Sequence, residues 1–417
     1  MKNKREKLTN EIRLQDGKPL ILRWTDLLYI AIIGVFTIVC LELFHRMIVV
    51  YNDKYHSDIG YYIRLVSDGQ AHQKRLIEFV FSRLYGINQI TMEINIYLAV
   101  VIAAVIVMNF LMIRWFLKDD GFSPDRSIMQ LLSLCAIFMG PIYLPVFHAW
   151  YYRFSFQSFA WHSPTQQSMV LFSLIATLCF LKLFVHYDRD GVKPLWWLAT
   201  AAAMFVSVYA KPSFFIDLVP AVCVLFLIEL IRGGKEGFLP RLGRLFVMGC
   251  ALIPGGIYML VLNRIEYSED AEEPGNAVAI DISHFFEQNH LLAGFICGLA
   301  FAIVVFAVNF RRIGDRKYQF ALLIFIFGLL QCMLLTETGP RANHGNFNWG
   351  RDYGDYYILL TSLVLALENF LNRDFLAKGR PAARKIYLTV IAILFLLHVL
   401  SQMKYFYLIL TGHGYYI

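Results

Sequence analysis

Residues 93–116 read EINIYLAVVIAAVIVMNFLMIRWF. Between Glu93 and Arg114 no side chain is charged, which leaves twenty residues in a row without an ion. At about 1.5 Å per residue, that length crosses the ~30 Å hydrocarbon core of a bilayer. A helix at the surface of a soluble protein would keep one polar face, and this stretch has none. Its surroundings are lipid or other helices of the same kind.

Runs of similar character recur along the chain. They lie at 26–50, 93–116, 127–147, 166–186, 194–210, 213–231, 242–263, 291–310, 318–336, 355–371 and 386–410. The expected fold class is therefore all-α, a polytopic transmembrane helix bundle of about eleven spans. Composition agrees: 58% of the 417 residues are hydrophobic and 17% charged, whereas a soluble domain carries about 25% charge. The formal charge of +7 is scattered between apolar runs rather than gathered on one segment, which argues against nucleic acid as a partner. All seven cysteines, from Cys40 to Cys332, fall inside apolar runs, with no CxxC spacing for a metal and no external disulfide frame. They read as small packing residues.

The first run follows a basic segment and is too long for the apolar region of a signal peptide, so it reads as an uncleaved span. Lys and Arg are retained on the cytoplasmic side of membranes. With the N-terminus inside, the cytoplasmic segments hold roughly 26 of the 38 Lys and Arg. This division predicts a single integral membrane domain over 1–417. It has a basic cytoplasmic N-terminus at 1–25 and external loops at 51–92, 264–290 and 337–354. The short cytoplasmic connections, such as Lys118-Asp119-Asp120-Gly121 and Arg311-Arg312-Ile313-Gly314-Asp315-Arg316, need only solvate a hairpin.

The external segments carry the residues suited to chemistry. In 51–92, His56-Ser57-Asp58-Ile59-Gly60-Tyr61-Tyr62 precedes an amphipathic stretch, Gln73 to Tyr85, which predicts an interfacial helix. Leu76, Ile77, Val80, Phe81 and Leu84 form its apolar face, and Lys74, Arg75, Glu78 and Arg83 its polar one. Asp58 could take a proton from a hydroxyl or hold a divalent cation, or it could simply cap the helix that follows. Trp161-His162-Ser163-Pro164-Thr165 opens the fourth run, where capping and ligand binding explain the polar cluster equally well. Lys211, in Tyr209-Ala210-Lys211-Pro212-Ser213, stands where a helix N-terminus and an ammonium both favour an anion such as phosphate. Asp217, one turn deeper, offers it an ion partner. The acidic segment 264–290 reads as mobile and solvated. The segment 337–354 holds Arg341, His344, Asn348, Trp349 and Arg351 between glycines, side chains suited to sugar hydroxyls and phosphate oxygens.

Taken together, the many spans, the acid in a long first external loop and the HSDIGYY segment at 56–62 resemble the polytopic glycosyltransferases of the GT-C class. The family often carries a second acid after the first, where this chain has Ile59. The resemblance implies a multi-pass enzyme of the bacterial cytoplasmic membrane. It would move a sugar from a polyprenyl-phosphate donor to an external glycan or glycolipid acceptor. It further implies Asp58 as the base, His56, Tyr61, His162, His344, Asn348 and Trp349 as substrate contacts, and Lys211, Arg341 and Arg351 at the leaving phosphate. A divalent cation at Asp58 remains an open question. Other readings are a polysaccharide polymerase or ligase, a transporter of lipid-linked sugar or small solute, and an assembly subunit. The absence of an internal repeat and the scarcity of mid-span charges, with Glu42, Asp217 and His398 as exceptions, weigh against transport.

Overall fold

The computed structural model describes residues 23–50, 57–88 except 72, 91–146 except 145, 161–233, 237–266, 275–286 except 276, 291–339, 345–376 except 374, and 381–413. It also describes a short antiparallel pair, β1 (Glu11–Arg13) with β2 (Pro19–Ile21). His56, Arg341 and His344 lie outside the described residues.

The chain is helical nearly throughout. In order, the helices are α1 (Trp24–His45), α2 (Asp58–Ser67), α3 (Leu76–Asn88), α4 (Met92–Asp119), α5 (Arg126–Ala136), α6 (Pro164–Phe184), α7 (Tyr187–Asp190) and α8 (Pro194–Ala210). They continue as α9 (Ser213–Arg232), α10 (Phe238–Cys250), α11 (Ile253–Glu266), α12 (Ser283–Phe286), α13 (Leu291–Val308), α14 (Arg316–Leu334), α15 (Asn348–Leu371) and α16 (Pro381–Leu410). Among the described residues, seven helical stretches are long and apolar enough to cross a membrane, or eight if α10 and α11, bent by 46°, count as one. This is an integral membrane protein by the length and composition of its helices.

Helices α6 and α15 run through the middle of the bundle and are buried along almost their whole length. That position explains why α15 tolerates Asp352, Asp355, Thr361, Ser362 and Glu368: its neighbours are protein, not lipid. Large apolar side chains point outward from the rim, among them Ile30 and Ile38 of α1 and Ile393, Leu396 and Leu400 of α16. Contact between α14 and α15 is close because glycines line it. A Cβ on Gly328 would stand 3.0 Å from the Arg351 Cα, and one on Gly354 3.1 Å from the Phe325 Cα.

The third apolar run, 127–147, is helical only as far as Ala136, and a turn and an irregular segment containing Gly140-Pro141 follow it. Proline cannot donate a backbone hydrogen bond, and the residue before it avoids the helical region. Side chains of α16 satisfy this irregular backbone. His398 Nδ1 donates to the Gly140 carbonyl, Gln402 Nε2 donates to the Pro141 carbonyl at 3.3 Å, and Ser401 Oγ accepts from the Tyr143 N–H at 3.0 Å. The Ile142 N–H donates to the Cys297 carbonyl of α13 at 2.8 Å, and the Phe301 N–H of the same helix donates to His398 Nε2 at 3.3 Å. His398 is thus a structural clasp within the bundle.

The connections gather at two ends. One end brings together 119–126, 185–194, 310–317 and the last turns of α9 and α15. Here the short loops do more than solvate hairpins. Lys317, 3% exposed, reaches Asp119 at 2.8 Å and Asp120 at 2.6 Å. Arg316 bridges Asp188 at 2.9 Å and Glu229 at 2.6 Å, while Arg312 holds Glu368 at 3.0 Å. The other end carries α2, α3 and the strand pair β3 (Ala277–Ile280) with β4 (Leu335–Thr338), antiparallel, with Ala277 opposite Thr338.

Candidate functional site

At this second end, the helix N-termini bring the polar side chains inward. Ser57, not Asp58, caps α2: its Oγ accepts from the Ile59 N–H at 3.2 Å and donates to the His162 carbonyl at 3.2 Å. Asp58 is therefore left in the first turn of α2, where the helix dipole favours a carboxylate. It has no hydrogen-bond partner among the described residues. Its charge acts on Tyr62, His162 and Lys211, which face the same space.

Proline at the first position of α6 sets the direction of that helix, and Ser163 makes no side-chain cap bond. Ser163 Oγ lies 3.2 Å from Thr165 Oγ1 instead, so capping does not account for the polar cluster at 161–165. Thr165 Oγ1 accepts from Lys211 Nζ at 3.5 Å. Lys211 lies in the break between α8 and α9, and its ammonium sits over the Trp349 ring, 3.8 Å from the centroid. The His162 ring stands 6.0 Å from the same indole. Loss of hydration pulls the Lys211 ammonium down from 10.5 to about 7, although the neighbouring Asp58 carboxylate opposes the shift. His162 is lowered as well, by burial first, with Asp58 again opposing.

A second layer lies beside this cluster. Tyr62 OH accepts from Arg75 Nη1 at 2.9 Å, and the other arm of Arg75 pairs with Glu266 at the end of α11. Burial pushes the Tyr62 phenol above its ordinary range and the arginine partly offsets it. Tyr209 OH donates to the Gln73 carbonyl at 3.1 Å and Tyr258 OH to the Lys74 carbonyl at 2.8 Å, tying α8 and α11 to the turn before α3. The amphipathic reading of 73–85 therefore holds for the helix and for buried Ile77 and Phe81. It fails for Glu78, which is 2% exposed, and for Arg75, which turns inward to Tyr62 and Glu266. The signal missed was their position at the start of a helix packed on four others, α2, α4, α6 and α8.

The remaining expected residues are distributed unevenly. Arg351 is buried, donating to Cys332 Sγ at 3.2 Å and Asp352 Oδ1 at 2.8 Å, with Asp355 at 3.8 Å, so its charge is engaged inside the bundle. Asp352 is near enough to act on Lys211. Asn348 Oδ1 accepts from Cys332 Sγ at 2.9 Å, and Tyr61 is exposed at the edge of α2. Asp217 does not pair with Lys211 as the sequence suggested. It is fully buried against Gly350, where any Cβ would fall on its carboxylate and lie 2.8 Å from Gln331 Oε1. Among the described residues no three His, Cys, Asp or Glu side chains gather as a metal set. No protein-family model and no curated protein sequence matches this chain.

Proposed function

We propose that this chain is a membrane glycosyltransferase moving a sugar from a polyprenyl-phosphate donor to an external glycan or glycolipid acceptor. One observation carries the reading. An Asp58 carboxylate free of hydrogen bonds among the described residues stands near enough to act on an ammonium, Lys211, which rests on an aromatic face, Trp349. The acceptor hydroxyl gives its proton to Asp58 as its oxygen attacks the anomeric carbon from the face opposite the phosphate. The bond from that carbon to the phosphate oxygen breaks, configuration inverts, and the leaving phosphate takes both electrons. Lys211 neutralises the charge that develops there, and Arg341, which lies outside the described residues, is the second cation the sequence offers for that task. Arg351 holds Asp352 and Asp355 in place inside the bundle.

The reading carries a topology with it: eleven spans, the N-terminus in the cytoplasm, and the pocket on the outer face of a bacterial cytoplasmic membrane with α2 and α3 along the interface. The Lys/Arg distribution supports that orientation. A second reading, transport of a small solute or lipid-linked sugar, is favoured by Gln166, Asp217, Gln331 and Asp355. Their buried polar atoms have no hydrogen-bond partner among the described residues.

Sugar transfer from polyprenyl-phosphate donors in membranes separates the two. Asp58→Asn keeps size and loses basicity, so turnover should fall by about 10² to 10⁴ while donor binding survives. Lys211→Ala should weaken donor binding as well as turnover, because an ionic contact to phosphate exists before the bond breaks. Normal transfer by Asp58→Asn would remove it as the base. Absence of transfer by the unaltered protein across a donor panel would favour transport.

A further inference from the structure

The opposite end of the bundle holds a second place built for a lipid. Helix α16 packs on α13 and meets α15 through a few bridges: Asn369 Nδ2 to Tyr387 OH at 2.8 Å, and Arg384 Nη2 to the Phe370 carbonyl at 3.0 Å. Beside them a cavity of about 830 Å³ opens between α5, α13, α15 and α16. Its walls are apolar, with Leu132, Phe301, Leu363, Leu367, Leu388 and Phe395 among them. Ile393 and Leu396, which also line it, are 52% exposed on the lipid-facing side of α16, so the groove opens sideways to bilayer hydrocarbon.

One edge of this groove is cationic. Arg373, Arg384 and Lys385 line it, and none has a carboxylate partner among the described residues. Arg384 Nε is buried and has no hydrogen-bond partner among them. Glu368, the acid of α15 on this side, is taken by Arg312 at 3.0 Å and Tyr318 at 2.7 Å. Over residues 372–386 the chain carries five Lys or Arg and one Asp. An apolar slot open to lipid tails and ending in unneutralised cations is complementary to one kind of molecule, an acyl chain with a negative headgroup. Its volume lies within the ~300–1,000 Å³ of pockets that enclose a ligand.

We propose that this groove holds a chain of an anionic glycerophospholipid, with the phosphate against Arg384, Arg373 and Lys385. The site lies at the end of the bundle opposite Lys211 and is independent of the proposed reaction. Delipidated full-length protein in neutral detergent, titrated with phosphatidylglycerol or phosphatidylcholine of the same chains and read by native mass spectrometry, tests it. Phosphatidylglycerol should bind with a clear preference. The Arg384→Gln/Lys385→Gln protein should lose roughly twenty-fold in affinity for it and fall to the phosphatidylcholine level. Thr389→Trp, placed at an exposed position in the groove wall, should weaken both lipids by filling the slot. Equal binding of the two lipids to the unaltered protein would overturn the proposal, as would a preference that survives the double substitution. Displacement of phosphatidylglycerol by equimolar polyprenyl phosphate would assign the groove to a different lipid and overturn it too.

Discussion

Lys211 is held where its ammonium is least comfortable, half-buried on an indole with Asp58 as partial compensation. A lysine lowered to about 7 loses its proton in the free protein as the medium passes through pH 7. An anion bound beside it restores the ammonium, and the proton it needs becomes scarcer as pH rises. Affinity for a polyprenyl phosphate should therefore be highest below pH 7 and fall by up to about tenfold per unit above it, with proton uptake on binding. Lys211→Arg keeps its charge over the whole range and should flatten the profile. Calorimetric titration in buffers of different ionisation enthalpy measures both. A flat profile for the unaltered protein would mean that Lys211 does not meet the anion. The chemical type of this residue was legible in Lys211-Pro212-Ser213. Its partners were not: the nearby acid Asp217 lies one turn along the chain yet faces Gly350, whereas Asp58 and Trp349 come from far away.

Among the elements, the interrupted third run shows how irregular backbone persists inside a bundle. An unpaired carbonyl or N–H away from water costs about 1–3 kcal/mol, so the Gly140–Tyr143 segment depends on the side chains of α16 that meet it. His398 serves two groups at once, accepting from the Phe301 N–H and donating to the Gly140 carbonyl. His398→Leu should destabilise the protein by about 2–4 kcal/mol, read as a lower Tm in detergent. His398→Asn, shorter but polar, should recover part of the loss. If both variants melt with the unaltered protein, the clasp is not what holds the segment. In the sequence this histidine was an isolated polar residue in an apolar run, and its role was hidden because both of its partners are backbone groups.

For the whole molecule, the two polar ends have different tasks. Lys317, Asp119, Asp120, Arg316 and Glu229 tie several hairpins into one ionic cluster, while the other end leaves Asp58 without a hydrogen bond among the described residues. The proposed orientation is tested with single cysteines at Thr338→Cys and Gly314→Cys, both at exposed positions, in a background with the seven native cysteines replaced. An impermeant maleimide on intact cells should label the first and spare the second until the membrane is opened. Labelling of Gly314→Cys from outside would invert the molecule and move the pocket to the cytoplasm.

Hydropathy is a local property, and so the apolar runs, the bilayer as solvent, and the placing of polar chemistry in the connections were all determined by the sequence alone. Hairpin parity and the charge bias come from the same local pattern. Only the tertiary structure decided that α6 and α15 lie in the middle, that the chain leaves the helix after Ala136, and that Asp58, Thr165, Lys211 and Trp349 come together at one end of the bundle. Each of these depends on which helix faces pack together. The close approaches that select those faces, such as Gly328 against Arg351 and Gly354 against Phe325, join residues whose spacing along the chain bears no relation to a helical period.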